Sequence, residues 1–200
     1  PGGVTIHHSR GCTASCRFCA WWRQMAERRP GAGPPDACRE QLLPRWRTKS
    51  VGRTLAEMEV LVERYGRRGL VFVDPTFNVD GRWSDAFAEA LLARGWDLRW
   101  FGFFRADGIV RDAATGVLDK LVRSGLSHVC VGVERVDQAQ LDSWNKRGAS
   151  PDTSEEAFRV LRERHPQVFR QATFIVGTRD ETPAGLEAQL RQSQKMEAIG

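Results

Sequence analysis

The sequence predicts an α/β protein built on a parallel sheet. Two observations carry this. Short apolar runs alternate with amphipathic segments along most of the chain, and each run is apolar at nearly every residue rather than at every second one. Parallel strands need a crossover between them, ordinarily a helix, and five such strand–helix units are visible. The 200 residues suffice for one domain with a sizeable core and no disulfides.

The elements follow in order. Residues 4–8 are a β-favouring run that stops at Ser9-Arg10-Gly11, and 27–50 form a connector rich in Pro, Gly and Arg without a clear period. Residues 54–65 have helical spacing through Leu55, Met58, Leu61, Val62 and Tyr65, with Thr54 and Glu57 as a capping box. Residues 70–73 are a compact strand, 84–94 a helix with Phe87 and Leu91 on one face, and 98–104 an aromatic strand. Residues 113–124 read as one helix and 127–133 as a fourth strand. Asp137 starts a helix through Leu141 and Trp144, and 153–165 another, with Thr153 and Glu156 as a second capping box. Residues 172–176 are the fifth strand, and Thr182 caps a last helix. In parallel α/β folds ligands sit at the carboxyl ends of the strands, so chemistry is expected there.

Composition excludes several classes. Hydrophobic residues make up 41% and charged ones 28%, which does not suit a disordered chain, and no stretch approaches the roughly 20 apolar residues of a membrane span. The chain opens Pro1-Gly2-Gly3 without a signal peptide's basic and apolar regions, so a cytoplasmic domain of a longer chain is expected. The net charge of +5 comes mostly from arginines spread along the chain, and no interleaved basic and aromatic face for nucleic acid is evident.

The five cysteines are unevenly placed. Cys12, Cys16 and Cys19 fall in the loop after the first strand with the spacing C-x3-C-x2-C. Cys38 stands alone in the connector, and Cys130 lies mid-strand as a small buried hydrophobe. An odd count with one tight cluster suits a reducing compartment and a metal site. Three soft thiolates wrap three corners of an iron–sulfur cube and leave one iron free for substrate or cofactor. A structural zinc site would need a fourth ligand, for which Cys38 or His7 are the candidates.

Cys12, Cys16 and Cys19, with Phe18 before the last cysteine, resemble the radical S-adenosylmethionine (radical SAM) superfamily. The resemblance covers roughly residues 4–198. It implies a partial, open TIM-like barrel of (β/α)6 type and a [4Fe-4S] cluster held by the three cysteines. It also implies SAM bound to the fourth iron and cleaved by one electron to methionine and a 5'-deoxyadenosyl radical.

The resemblance further implies cofactor contacts at the strand ends. Glu134 in Gly132-Val133-Glu134 would supply a carboxylate to SAM. A basic residue, Lys146 or else Arg147, would pair with the SAM carboxylate. Val176 and Gly177 would hold adenine, with Glu181-Thr182 retained from the family's usual continuation. Asp74 stands where many members have a Gly-Gly-Glu-Pro segment for the SAM amino group. Arg105 either faces the cofactor or forms a structural ion pair. No catalytic residue for the later chemistry is identified.

Three stretches (104–112, 132–148 and 174–182) resemble the cobalamin-dependent branch, particularly the anaerobic magnesium-protoporphyrin IX monomethyl ester cyclases. They are shared with cobalamin-dependent methyltransferases. That branch implies cobalamin bound by a domain outside this chain, since no Asp-x-His-x-x-Gly signature occurs in it. It also implies a tetrapyrrole or other small-molecule substrate, and an electron donor such as flavodoxin or ferredoxin. One further β/α unit than the five seen is expected of a whole core. The alternatives are a methylthiotransferase-like tRNA-modifying enzyme and a non-catalytic zinc or iron–sulfur module.

Overall fold

The computed structural model describes residues 3–29, 42–179 and 181–197. Its elements are β1 Val4–Ile6, β2 Ser9–Gly11, α1 Trp21–Gln24, β3 Glu27–Arg28, β4 Leu42–Leu43 and β5 Trp46–Thr48. There follow α2 Val51–Glu59 with a π turn, Val60–Arg64, then β6 Gly69–Phe72, α3 Gly81–Arg94, β7 Arg99–Phe104, α4 Ala106–Ala114 and α5 Val117–Arg123. The last are β8 Leu126–Glu134, α6 Gln138–Ser143, α7 Pro151–Arg164, β9 Phe169–Phe174 and α8 Pro183–Glu197.

Five strands form one parallel sheet in the order β1-β6-β7-β8-β9. Each crossover moves one step along it, and among the described residues the sheet stays open, with β1 and β9 at its edges. It is a partial, open β/α barrel of five units.

The pleat sorts the side chains. Leu70, Phe72, Trp100, Val129 and Val131 are buried in the core formed with the helices, at 2% exposure or less. Each large one contributes roughly 2–3 kcal/mol by leaving water. Phe103, Cys130, Gly132 and Glu134, one step out of phase, face the opposite side, where the site lies. Cys130 is therefore buried, as expected, but on the site face rather than in the core.

Several boundaries differ from the sequence expectations. Ser50, not Thr54, caps α2 by accepting from the Arg53 amide, while Glu57 is taken up by Lys49 at 2.6 Å and Arg53 at 2.9 Å. Ser150 likewise replaces Thr153 as the cap of α7, and Glu156 pairs with Arg159. The helix expected over 113–124 is two helices, broken where Gly116 takes φ +77°. The fifth strand ends at Phe174, before Val176. Two short antiparallel ribbons form, β3–β4 within the connector and β2–β5 between its end and Ser9–Gly11. Asp137 and Thr182 cap their helices as expected.

Candidate active site

The cysteine loop starts at Gly11, whose φ is +84°. A Cβ there would lie 1.8 Å from the Arg45 carbonyl oxygen, so only glycine lets Cys12 N donate to that oxygen, at 3.1 Å. Beyond it the loop alternates. Cys12, Ala14, Cys16 and Phe18 line an inner cavity of about 350 Å³, joined by Cys19. Ser15 and Arg17 line the other side.

Residues 144–146 hold this wall in place. Arg17 N donates to Trp144 O at 2.8 Å, and Asn145 Nδ2 donates to Ser15 Oγ at 2.6 Å. Phe18 meets Trp144 edge-on with centroids 5.3 Å apart, and Lys146 Nζ lies 5.9 Å from the Phe18 ring centroid.

Strand ends stand across the cavity. Glu134 ends β8 in left-handed backbone, φ +69°, next to a register irregularity between Gly132 and Glu134. A non-glycine residue there stores strain, a feature that clusters at functional sites. The Glu134 Oε1 accepts from Lys146 Nζ at 3.1 Å, and the same ammonium donates to Gly132 O at 2.6 Å. A Cβ on Gly132 would lie 2.7 Å from Glu134 Oε1 and 3.2 Å from Lys146 Nζ, so the glycine leaves the space the pair fills. Burial lowers the Lys146 pKa, and Glu134 acts against that.

Arg105 forms the structural ion pair that was one of the two sequence alternatives. It lines the cavity and also makes a two-pronged pair with Asp107, both bonds at 2.9 Å. Burial opposes its charge, yet Asp107 holds its pKa above the ordinary range. Asp74 borders the cavity but is fully buried. Its Oδ1 accepts from Ser9 N at 2.5 Å, Ser9 Oγ at 2.6 Å and His8 N at 3.1 Å, which ties the turn between β1 and β2 to the end of β6. Burial raises Asp74 to about 6 despite those bonds.

Val176 and Gly177 do not line the cavity. Val176 is 59% exposed, and Gly177, at φ +78°, has open space beside it. Their loop is held by Arg135, which donates to Glu181 Oε1 and, at 3.0 Å, to Ile175 O, while Glu181 accepts from Gly177 N.

The donor set suits an iron–sulfur cluster. Three thiols share one loop and one cavity, and burial raises the Cys16 pKa while Lys146 and Arg105 pull it down. Among the described residues no three His, Cys, Asp or Glu side chains gather as for one metal ion. His7 does not line the cavity, and Cys38 lies outside the described residues. Thr76, Cys130 and Thr173 also line the cavity and were not anticipated as site residues. For Cys130 the signal was its even spacing with Gly132 and Glu134.

Fold and site define a β/α core with a three-thiol loop and a buried Lys–Glu pair at the carboxyl edge of a parallel sheet. The chain belongs to the Radical SAM superfamily, which it matches over residues 6–191. It is 27% identical over 198 residues to an anaerobic magnesium-protoporphyrin IX monomethyl ester cyclase of Cereibacter sphaeroides, covering 96% of this chain. The chain spans 29% of the length of that cyclase. In fold it is similar to the cobalamin-dependent SAM radical enzyme OxsB, with a TM-score of 0.75 at 19% identity over 96% of this chain and 26% of that one. It is equally similar to the radical SAM methyltransferase TsrM of Kitasatospora setae, with a TM-score of 0.75 at 18% identity over 98% of this chain and 33% of that one.

Proposed function

We propose that this chain is the SAM-cleaving core of a cobalamin-dependent enzyme, a cyclase or methyltransferase related to the magnesium-protoporphyrin IX monomethyl ester cyclases. The observation that carries this is the cavity where Cys12, Cys16 and Cys19 face Arg105 and the pair of buried Lys146 with half-buried Glu134.

Cys12, Cys16 and Cys19 would hold a [4Fe-4S] cluster. When bound, the cluster and SAM would supply the one-electron reductive chemistry of the superfamily. The protein's own work is to bind and to exclude water. Lys146, inside the wall, offers its ammonium to the SAM carboxylate, and Arg105 adds a second cation. Glu134 accepts from the ribose or the ammonium. Phe18 covers the thiol loop from the cavity side. Asp74 acts through Ser9 and His8, by fixing the strand end rather than by reaching the cofactor. Val176 and Gly177 reach adenine only if the loop held by Arg135 and Glu181 folds inward.

A tetrapyrrole is the substrate class favoured by the cyclase relative, with cobalamin held by a domain outside this chain and electrons supplied by a flavodoxin or ferredoxin. A cytoplasmic setting is consistent with the thiol cluster, and no helix among the described residues is long and apolar enough to cross a membrane. No observation favours the tRNA-modifying or structural-zinc alternative.

Anaerobic reconstitution followed by reduction in the presence of SAM tests the proposal. Uptake of about four irons per chain and release of 5'-deoxyadenosine are expected. Tight zinc binding without iron uptake would overturn it.

A further inference from the structure

The wall that carries the thiols has an outer face. Cys12, Cys16 and Lys146 look into the cavity, whereas Ser15, Arg17, Asn145 and Arg147 look out. An outer hollow of about 360 Å³, lined by Ser15, Arg17, Asn145 and Arg147, forms a groove along the back of the loop, while a neighbouring hollow of about 540 Å³ reaches round to Ala14 and Arg105 of the cavity.

The groove is basic. Arg17, Arg23 and Arg147 line it, against Asp142. Arg17 and Arg147 are exposed. The Arg147 Nε donates to the neutral Asn145 Oδ1 at 2.9 Å, and among the described residues no carboxylate forms an ion pair with it.

We infer that this groove is the docking face for an acidic one-electron donor protein of the flavodoxin type. The inference rests on the cluster assignment proposed above. An electron bound for the cavity crosses least protein where the covering is thinnest. Ser15 and Arg17, the chain neighbours of Cys16, line the groove, so one thickness of chain separates a seated donor from that thiol. The donor gives up one electron and the cluster gains it, with no bond made and no proton moved. The charge complement steers an acidic partner onto this face and weakens as salt rises.

The test uses the reconstituted full chain and flavodoxin hydroquinone under anaerobic conditions. Calorimetry reads binding, and stopped-flow bleaching of the cluster's visible absorbance reads electron transfer. The double variant Arg17→Glu/Arg147→Glu alters only the outer face. It should bind flavodoxin at least about tenfold more weakly and lose the salt dependence of reduction. Photoreduced deazaflavin, a small reductant that needs no docking face, should reduce both proteins at the same rate. Unchanged binding and reduction by flavodoxin would overturn the inference, as would equal slowing with both reductants, which would locate the effect at the cluster. A wild-type chain that takes up no iron would instead bring down the cluster assignment, and the inference with it.

Discussion

Asn145 Nδ2 donates to Ser15 Oγ at 2.6 Å across 130 positions of sequence, from a backbone held at φ +55°. With the bond from Arg17 N to Trp144 O, it straps the thiol loop to the segment after α6. The strap and the left-handed backbone separate by substitution. Asn145→Gly loses the hydrogen bond but keeps the backbone conformation, at a cost of about 1 kcal/mol. Asn145→Ala loses the bond and must also hold a positive φ, which adds about 1–2 kcal/mol. Thermal unfolding should rank wild type above Asn145→Gly above Asn145→Ala. Both variants should release iron faster after reconstitution. An alanine variant as stable as the glycine one would show that this backbone position is not strained.

The thiol assignment makes a second ranking. Cys16→Ala should lose the cluster, because Cys16 is one of three thiols on the loop. Cys130→Ala should keep it, because Cys130 comes from β8 on the other side of the same cavity. Cys38→Ala should keep it too. Iron content and visible absorbance after reconstitution decide, and iron lost with Cys130 but retained without Cys16 would reverse the ligand set.

The β/α alternation and the cysteine loop were legible because each is written in local sequence. Apolar runs, turn residues and ligand spacing need no knowledge of distant partners. What stayed hidden depends on contacts across the fold. Thr54 and Glu57 have capping-box spacing, but Glu57 is drawn to Lys49 and Arg53, and Ser50 caps instead. The break at Gly116 is not legible because the apolar period runs on either side of it. Asn145 gave no signal at all, since its partner Ser15 is unremarkable in sequence. The β-favouring run continues to Val176, whereas pairing with β8 stops at Phe174.

Lys146 and Arg147 are adjacent, yet they face opposite sides of the wall, and this separates their roles. Lys146→Met removes a charge-assisted contact inside the cavity and should weaken SAM binding by about tenfold to a hundredfold. Arg147→Met should change it by less than about twofold. The double variant Glu134→Gln/Lys146→Met removes both charges of the buried pair and guards against misfolding caused by an unpaired Glu134. Calorimetric titration of SAM into the reconstituted proteins provides the comparison. Equal losses for Lys146→Met and Arg147→Met would remove the distinction between the two faces.

Asp74 and His8 predict opposite pH dependences from one buried cluster. Burial raises Asp74 from 3.8 to about 6, so the folded protein holds that proton more tightly than the unfolded chain does. The stability this gives is present at low pH and is lost as pH rises from about 4 through 6, by on the order of 3 kcal/mol. Burial lowers His8 from 6.5 to about 3, against its contact with the Phe77 carbonyl, so stability is lost as pH falls from 6.5 towards 3. Between about 4 and 6 the two slopes nearly cancel in the wild type. Asp74→Asn removes one of them while its side-chain oxygen still accepts from Ser9. Urea unfolding of both proteins at pH 4 and pH 7 should show the variant gaining on the wild type as pH rises. A difference that does not change with pH would mean that the Asp74 carboxyl is ionised in the fold throughout this range, held charged by Ser9 and His8 against its burial.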